Sequence, residues 1–262
     1  MPTVGFIGTG NMGAALARAA AKSPLTEQLL LSNRSAEKPR RLAEELGGAV
    51  LDNRGVAQKA EVLFLAVKPQ MLPDVIGEIR PVLDARRDRV VLVSMAAGWS
   101  LEKLGAALGD RPIVRIMPNI PVSVGAGVTL LCPNGQISAE ELQTVEDLLA
   151  ASGLVSELDE RHLDAAGGVT GCGPAFAAMF VEALADGAVA CGLPRREALA
   201  FAAQMLKGSA QLLLETGEHP GSLKDRVCSP GGSTIQGVRL LEERAFRAAV
   251  TDAVIATYEK KF

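Results

Sequence analysis

Apolar positions along the chain follow two different rhythms. Up to about residue 158, short apolar runs alternate with stretches in which apolar and charged residues recur at helical spacing. The runs Thr3–Ile7, Leu29–Ser32, Ala49–Leu51, Val62–Val67 and Val90–Val93 read as strands, as do Pro112–Met117, Gly127–Leu131 and Leu154–Ser156. Ala14–Lys22, Ala36–Leu46, the segment capped by Asp52-Asn53 and ending at Lys59, and Ala139–Ala151 read as helices. Gly47-Gly48 supplies a helix stop. Val62–Val67 is apolar without interruption, as a strand covered on both faces should be. The expectation is an α/β domain built on a doubly wound, mostly parallel sheet of about eight strands.

Around Asp159–His162 the strand signal stops and long helical patterns take over. Pro174 opens a helix at its first turn, where a missing N–H costs nothing. Phe176, Met179, Phe180, Ala183 and Leu184 share one face of it. Ala177, Ala178, Val181, Ala185 and Ala188 make the other faces nearly as apolar, so the helix needs burial all round. Gly192-Leu193-Pro194 ends it, and Arg195–Thr216 is a second long helix. Two such helices cannot bury every apolar face in roughly a hundred residues; a symmetric dimer through this region solves the problem. The chain therefore divides, on pattern alone, into residues 1–158, α/β, and residues 159–262, all helical.

The first strand runs into Gly8-Thr9-Gly10-Asn11-Met12-Gly13, glycines in G-x-G-x-x-G spacing, and then into a helix. Gly8 suits a tight turn, Gly10 close approach by a pyrophosphate, and Gly13 close packing of helix on strand. The helix N-terminus offers free N–H groups to an anion. This is a Rossmann-like dinucleotide site; the plain alternative is a glycine-rich turn that binds nothing. NAD-binding folds place an acid at the end of the second strand to take the ribose hydroxyls. Here that strand ends in Ser32-Asn33-Arg34-Ser35, and Arg34 suits a 2′-phosphate, so NADP is favoured over NAD. Alternatively, Arg34 is a solvated loop cation. Lys68, before Pro69 at another carboxyl edge, is either a cofactor contact or a surface lysine. The small residues of Ser94–Gly98 leave room for a flat ring or a phosphate, and Asn119, held among prolines, is either a structural cap or a ligand contact.

A second glycine-rich turn, Ser229-Pro230-Gly231-Gly232-Ser233-Thr234, opens a helix with no strand before it. Its N–H groups and hydroxyls would make a nest for a small anion such as a carboxylate. Ser233 with Gln236 could instead form a capping box. His219 reads as a loop or capping histidine rather than an acid catalyst.

Composition narrows the classes further. Net charge is −3 with scattered Lys and Arg, which leaves no electrostatic footprint for nucleic acid. Aromatics make up 3%, so no stacking platform for single strands exists either. A hydrophobic content of 48% fits a large buried area that includes a subunit interface. The four cysteines are widely spaced and there are two histidines, so no metal site is expected and buried thiols are. No uninterrupted apolar run reaches membrane-spanning length and no leader is evident, so a cytoplasmic location is expected.

Five motifs, taken together and in order, resemble the pyrroline-5-carboxylate reductases. They are Phe6–Met12, Ala66–Pro69, Met117–Pro121, Gly171-Cys172-Gly173-Pro174-Ala175-Phe176 and Val227–Thr234. The resemblance covers nearly the whole chain. It implies an N-terminal Rossmann domain, a C-terminal helical domain that dimerises and often assembles further, and an active site at the dimer interface. It implies NAD(P)H-dependent reduction of 1-pyrroline-5-carboxylate to L-proline, the last step of proline biosynthesis, with NADPH preferred and NADH tolerated. By motif, Ile7, Gly8, Thr9, Gly10, Asn11 and Met12 would hold the pyrophosphate, and Asn33 with Arg34 the adenosine ribose and its phosphate. Asn53, then Ala66, Val67, Lys68 and Pro69, then Met95, Ala96 and Ala97 would line the rest of the groove. Ser229, Gly231, Gly232, Ser233 and Thr234 would hold the substrate carboxylate, Thr234 would approach the ring nitrogen as the catalytic hydroxyl, and Glu160 would contact the substrate side. Cys172 stands where Ser or Ala is usual, Phe176 where Tyr is common, and Ser233 where Thr or Ala is frequent.

Competing readings are another Rossmann-plus-helical reductase of imines or β-hydroxyacids, and a catalytically silent NADP-binding protein. β-Hydroxyacid dehydrogenases place a catalytic lysine on the long helix, and Pro174–Ala190 holds none. A silent protein has no use for Ser229–Thr234.

Overall fold

A computed structural model describes residues 1–259. By packing, the chain forms two units that divide between Gly171 and Cys172.

The first unit carries one eight-stranded sheet in the order β3-β2-β1-β4-β5-β6-β7-β8. The strands are β1 (Thr3–Ile7), β2 (Gln28–Ser32), β3 (Ala49–Val50), β4 (Val62–Leu65), β5 (Val91–Ser94), β6 (Ile113–Pro118), β7 (Gly127–Pro133) and β8 (Gly153–Glu157). Neighbouring strands run parallel, except that β7 lies antiparallel to β6. Period-two alternation sorts each central strand between two layers. Val4, Phe6, Val62, Phe64, Val91 and Val93 enter one core, and Ile7, Leu63, Leu65 and Leu92 the other. Phe6 and Phe64 stack across adjacent strands, 4.4 Å between ring centroids and 5° between planes.

Helices α1 (Asn11–Lys22), α2 (Glu37–Leu46), α3 (Asn53–Lys59), α4 (Leu72–Ala85), α5 (Leu101–Leu108), α6 (Ala139–Leu149) and α7 (Leu163–Thr170) complete this unit. Residues of α1, α2 and α6 join the first core, and those of α3, α4 and α5 the second, which is the doubly wound arrangement. Their ends follow local chemistry. Asp52 caps α3 by accepting the Gly55 N–H at 2.7 Å. Ser138 and Glu141 close a capping box on α6, and Gly47 ends α2 in the left-handed conformation.

The strand signal stops near residue 158, yet the packing boundary falls later. The reason is α7, whose Leu163 is fully buried beside Leu130 and Cys132 of β7. Asn119, whose role the sequence leaves open, also works here. Its Nδ2 donates to the Thr170 carbonyl at 2.9 Å and its Oδ1 accepts the Val128 N–H at 2.8 Å, a structural clasp.

The second unit holds α8 (Gly173–Ala190), α9 (Arg195–Thr216), α10 (Pro220–Val227), α11 (Ser233–Glu243) and α12 (Phe246–Glu259). Residues 260–262 of the helical range read from sequence lie outside the described residues. The buried members of α8 and α9 are Ala185, Ala198 and Ala202. Met179, Phe201 and Leu214 stand 68%, 62% and 81% exposed, so apolar side chains of this unit are left uncovered among the described residues.

Two expectations from the sequence need correction. Of the four free cysteines, Cys132 is buried, Cys172 and Cys228 are half-buried and Cys191 is exposed. Counted as one helical stretch, Glu160–Ala190 is long and apolar enough to cross a membrane by length and composition, with mean hydropathy 1.3 and 11% of its window buried. The sequence reading misses it because the hydropathy comes from Ala, Val, Phe, Met and Leu interrupted by glycines, Pro174, Glu182 and Asp186 rather than from one unbroken run.

Candidate active site

The sheet order reverses between β1 and β4, and ligands of open α/β sheets bind outside the carboxyl ends of the strands at such a point. Two adjoining cavities, of about 560 and 730 Å³, lie at these ends in the first unit. Gly10, Lys38, Ala66, Val67 and Lys68 line both. Asn11, Met12, Met95, Ala96 and Ala97 line the smaller, with Arg115 and Met117 beside them. Ile7, Gly8, Asn33, Arg34 and Asn53 line the larger, together with Ser32, Asp52 and Glu78. Among the groove residues read from sequence, Thr9 and Pro69 stand outside both linings.

The glycine turn tests whether a dinucleotide fits. Gly8 has φ +104°, and a Cβ there would sit 2.5 Å from the Ala66 carbonyl oxygen; a Cβ on Gly13 would sit 2.2 Å from the Gly8 carbonyl oxygen. Those two glycines are required by the protein's own packing. Gly10 is not: a Cβ there would meet nothing within 4 Å. Its lack of a side chain keeps open the N-terminus of α1, where it is the extended N-cap with no side-chain cap bond. Thr9 Oγ1, in the same turn, is buried without a hydrogen-bond partner. A pyrophosphate on the free N–H groups fits this turn, and it also fits the cavity that runs past it.

Polar contacts hold the larger cavity's rim in place. The Gly8 N–H donates to the Ser32 carbonyl at 2.8 Å. The Thr9 N–H donates to Asn33 Oδ1 at 3.3 Å, and Asn33 Nδ2 donates to the Ser35 carbonyl at 3.4 Å. Asn33 thus ties the glycine turn to the loop that presents Arg34. Arg34, Lys38 and Lys68 form no ion pair among the described residues, which leaves three cations for an anionic ligand. Sequence reasoning did not identify Lys38, Glu78 or Arg115. Lys38 follows Arg34 closely on α2, and that spacing is the one signal that could have found it.

Glu160, read from the sequence as a substrate contact, accepts two bonds through Oε1. One comes from the Leu101 N–H at 2.8 Å and one from Arg115 Nη1 at 2.7 Å.

In the second unit, the turn before α11 depends on its two glycines. Gly231 has φ +71°, and a Cβ on Gly232 would lie 2.3 Å from Ser229 Oγ. The Gly232 N–H donates to the Ser229 carbonyl at 3.0 Å, closing the turn. Gly232 is the N-cap, so Ser233 is the first helical residue and no side chain caps α11. The capping-box alternative for Ser233 and Gln236 is thereby overturned: the register is one residue off. Ser233 and Thr234 sit in a first turn whose N–H groups have no intrahelical partner. His219 is a cap, its Nδ1 accepting the Gly221 N–H at 3.0 Å.

A doubly wound sheet with a glycine turn at its switch point, followed by a helical unit with uncovered apolar side chains, defines a two-domain dinucleotide-dependent oxidoreductase. Comparison with known proteins narrows this. Residues 160–261 match the family described as pyrroline-5-carboxylate reductase dimerisation, and residues 3–98 match NADP oxidoreductase coenzyme F420-dependent. The pyrroline-5-carboxylate reductase of Escherichia coli (strain K12) is 44% identical over 261 residues, 98% of this chain and 96% of that one. A pyrroline-5-carboxylate reductase structure from Coxiella burnetii superposes with TM-score 0.93 at 31% identity, covering 99% of this chain and 97% of the other. One from Plasmodium falciparum, with NADP bound, gives TM-score 0.85 at 31% identity, covering 99% and 97%. The chain belongs to the pyrroline-5-carboxylate reductase family.

Proposed function

We propose that this chain reduces 1-pyrroline-5-carboxylate to L-proline, the closing step of proline biosynthesis, with NADPH as preferred donor and NADH accepted. The observation that carries the reading is the pair of glycine turns, one at the N-terminus of α1 and one at that of α11, each opening a helix that no side chain caps. Family membership gives that pair its chemistry.

Bound NADPH supplies the hydride. The first turn, Ile7 to Met12, would hold the pyrophosphate. Its free N–H groups lie from Gly10 onward, because those of Gly8 and Thr9 are already bonded within the protein. Arg34 with Asn33 would take the adenosine ribose and its 2′-phosphate. Ala66 to Pro69 and Met95 to Ala97 flank the rest of the groove, and Asn53 serves the adenosine end. Ser229 and the turn Gly231 to Thr234 hold the substrate carboxylate, through the N–H groups of Gly231, Ser233 and Thr234, since that of Gly232 closes the turn. Each such charge-assisted bond contributes about 1.5–3 kcal/mol.

A protonated cyclic imine is already electrophilic at carbon, so its reduction needs proximity and orientation above all. The Thr234 hydroxyl hydrogen-bonds the ring nitrogen and fixes the face presented. Hydride transfer to the iminium carbon leaves a neutral amine, and the proton that then completes its ammonium comes from solvent, directly or relayed through that hydroxyl. Glu160 stands toward the substrate side, held by Arg115.

The family's dimerisation region supports a homo-oligomer. We assign the pairing to the helices of residues 159–262, with residues 1–158 as the dinucleotide domain and further assembly of dimers. The exposed apolar faces of α8 and α9 are then interface rather than a membrane-facing surface, and the enzyme works in the cytoplasm with neither membrane nor nucleic acid as partner. An NADPH-oxidation assay tests the reading. Turnover with 1-pyrroline-5-carboxylate, absent with the β-oxoacids that a β-hydroxyacid dehydrogenase would reduce, is expected; no turnover would remove it.

A further inference from the structure

The end of β2 lacks the carboxylate that a dinucleotide site often carries there, yet the groove draws carboxylates from elsewhere, Asp52, Asp74 and Glu78, and the last of these is hydrogen-bonded to Asn53. Ser32 Oγ donates to Asn53 Oδ1 at 2.6 Å, and Asn53 Nδ2 donates to Glu78 Oε2 at 2.7 Å. All three residues line the larger cavity, which also holds Asn33 and Arg34. Ser32 is a fixed end for this chain of bonds: it is 3% exposed, and its carbonyl anchors the Gly8 N–H. Glu78 is half-buried on α4.

The hydrogen-bond inventory says what Glu78 does. A serine hydroxyl both donates and accepts, so Ser32 alone would tolerate either end of the Asn53 amide. An ionised carboxylate only accepts, so it draws the amide nitrogen to itself and leaves the oxygen for Ser32. The two neighbours use one N–H and one lone pair of Asn53. One N–H and one lone pair remain, the complement of a sugar hydroxyl.

We propose that Glu78 is a positioning residue for the coenzyme: it locks the Asn53 amide so that its spare donor and acceptor meet a ribose hydroxyl. This rests on the assignment of Asn53 to the coenzyme groove. The adenosine end then has divided labour, with Arg34 for the phosphate and the chain Ser32–Asn53–Glu78 for the sugar.

Calorimetric titration of the substrate-free enzyme with NADPH and with NADH tests this without relying on turnover. Glu78→Ala should weaken both coenzymes by the same factor, about five- to tenfold, the worth of one hydrogen bond. Glu78→Gln retains an acceptor and should recover most of that loss. Asn53→Ala should weaken both similarly, and adding Glu78→Ala to it should cost nothing further. Thermal midpoints establish that each variant is folded. A Glu78→Ala penalty of equal size in the Asn53→Ala background would overturn the proposal, as would Glu78→Gln binding no better than Glu78→Ala. Tighter NADPH with unaltered NADH in Glu78→Ala would also overturn it, by showing a charge that merely repels phosphate. Asn53→Ala at wild-type affinity would overturn the groove assignment of Asn53 and this proposal with it.

Discussion

Arg115 of β6 and Glu160, just ahead of α7, are joined at 2.7 Å, and the Glu160 oxygen that accepts from Arg115 also takes the Leu101 N–H. Their side chains are 11% and 28% exposed, so little water competes for the pair. Removing either partner strands the other, at a cost below that of a fully buried pair. Arg115→Ala and Glu160→Ala should each lower unfolding free energy by about 2 kcal/mol, with the double variant losing less than the sum. Urea denaturation checks this; additive losses would show that the two residues are not coupled.

Thr234 separates catalysis from capping. Its side chain makes no cap bond on α11, so its loss should not loosen the turn. Thr234→Ala should lower kcat by roughly ten- to a hundredfold, the worth of a hydrogen bond to a charged centre, while NADPH affinity stays within about twofold. Stopped-flow turnover and coenzyme titration read the two quantities separately. Equal losses in both would assign Thr234 to the helix alone.

Arg34 should decide between the coenzymes. It forms no ion pair among the described residues and stands on the larger cavity's rim. Arg34→Ala should raise the Kd for NADPH about tenfold or more and leave NADH nearly unchanged, because a guanidinium–phosphate bond is charge-assisted and lost outright. Titration at two salt concentrations would confirm it through a weaker salt dependence in the variant.

How much of this could be read from the chain follows from sequence separation. Both glycine turns are local, since strand, turn and helix are contiguous, so their chemistry stands in the sequence at Gly8–Gly13 and Ser229–Thr234. The strands β1, β2 and β4 announce themselves because burial on both faces keeps their central positions apolar, as in Phe6-Ile7, Leu29–Leu31 and Val62–Leu65. Glu78 and Asn53, 25 residues apart, and Arg115 and Glu160, 45 apart, meet only through the sheet order, which no periodicity encodes. The antiparallel turn of β7 is equally silent, because strand direction leaves the hydrophobic alternation unchanged. Ser233 and Gln236 misled by one residue, since glycine at the N-cap position carries no side-chain signal.

Cys132 should give stability an alkaline limit. Burial pushes its thiol from an ordinary value of 9.0 up to about 11, partly offset by Arg115 and reinforced by Glu160. A raised thiol pKa means the folded state holds its proton longer than the unfolded one. That contribution is complete below about pH 9 and is lost as pH rises toward 11. Denaturation midpoints from pH 8 to 11 should fall more steeply for the wild type than for Cys132→Ala, in addition to any slope both share. Parallel slopes would show that the thiol ionises alike in both states.

The most direct test is a crystal soaked with NADP and L-proline together. The coenzyme's pyrophosphate is expected on the free N–H groups at the N-terminus of α1, and the proline carboxylate on those of Gly231, Ser233 and Thr234, with the ring nitrogen beside the Thr234 hydroxyl and the ring against the nicotinamide. Proline bound elsewhere, remote from the nicotinamide, would contradict this placement.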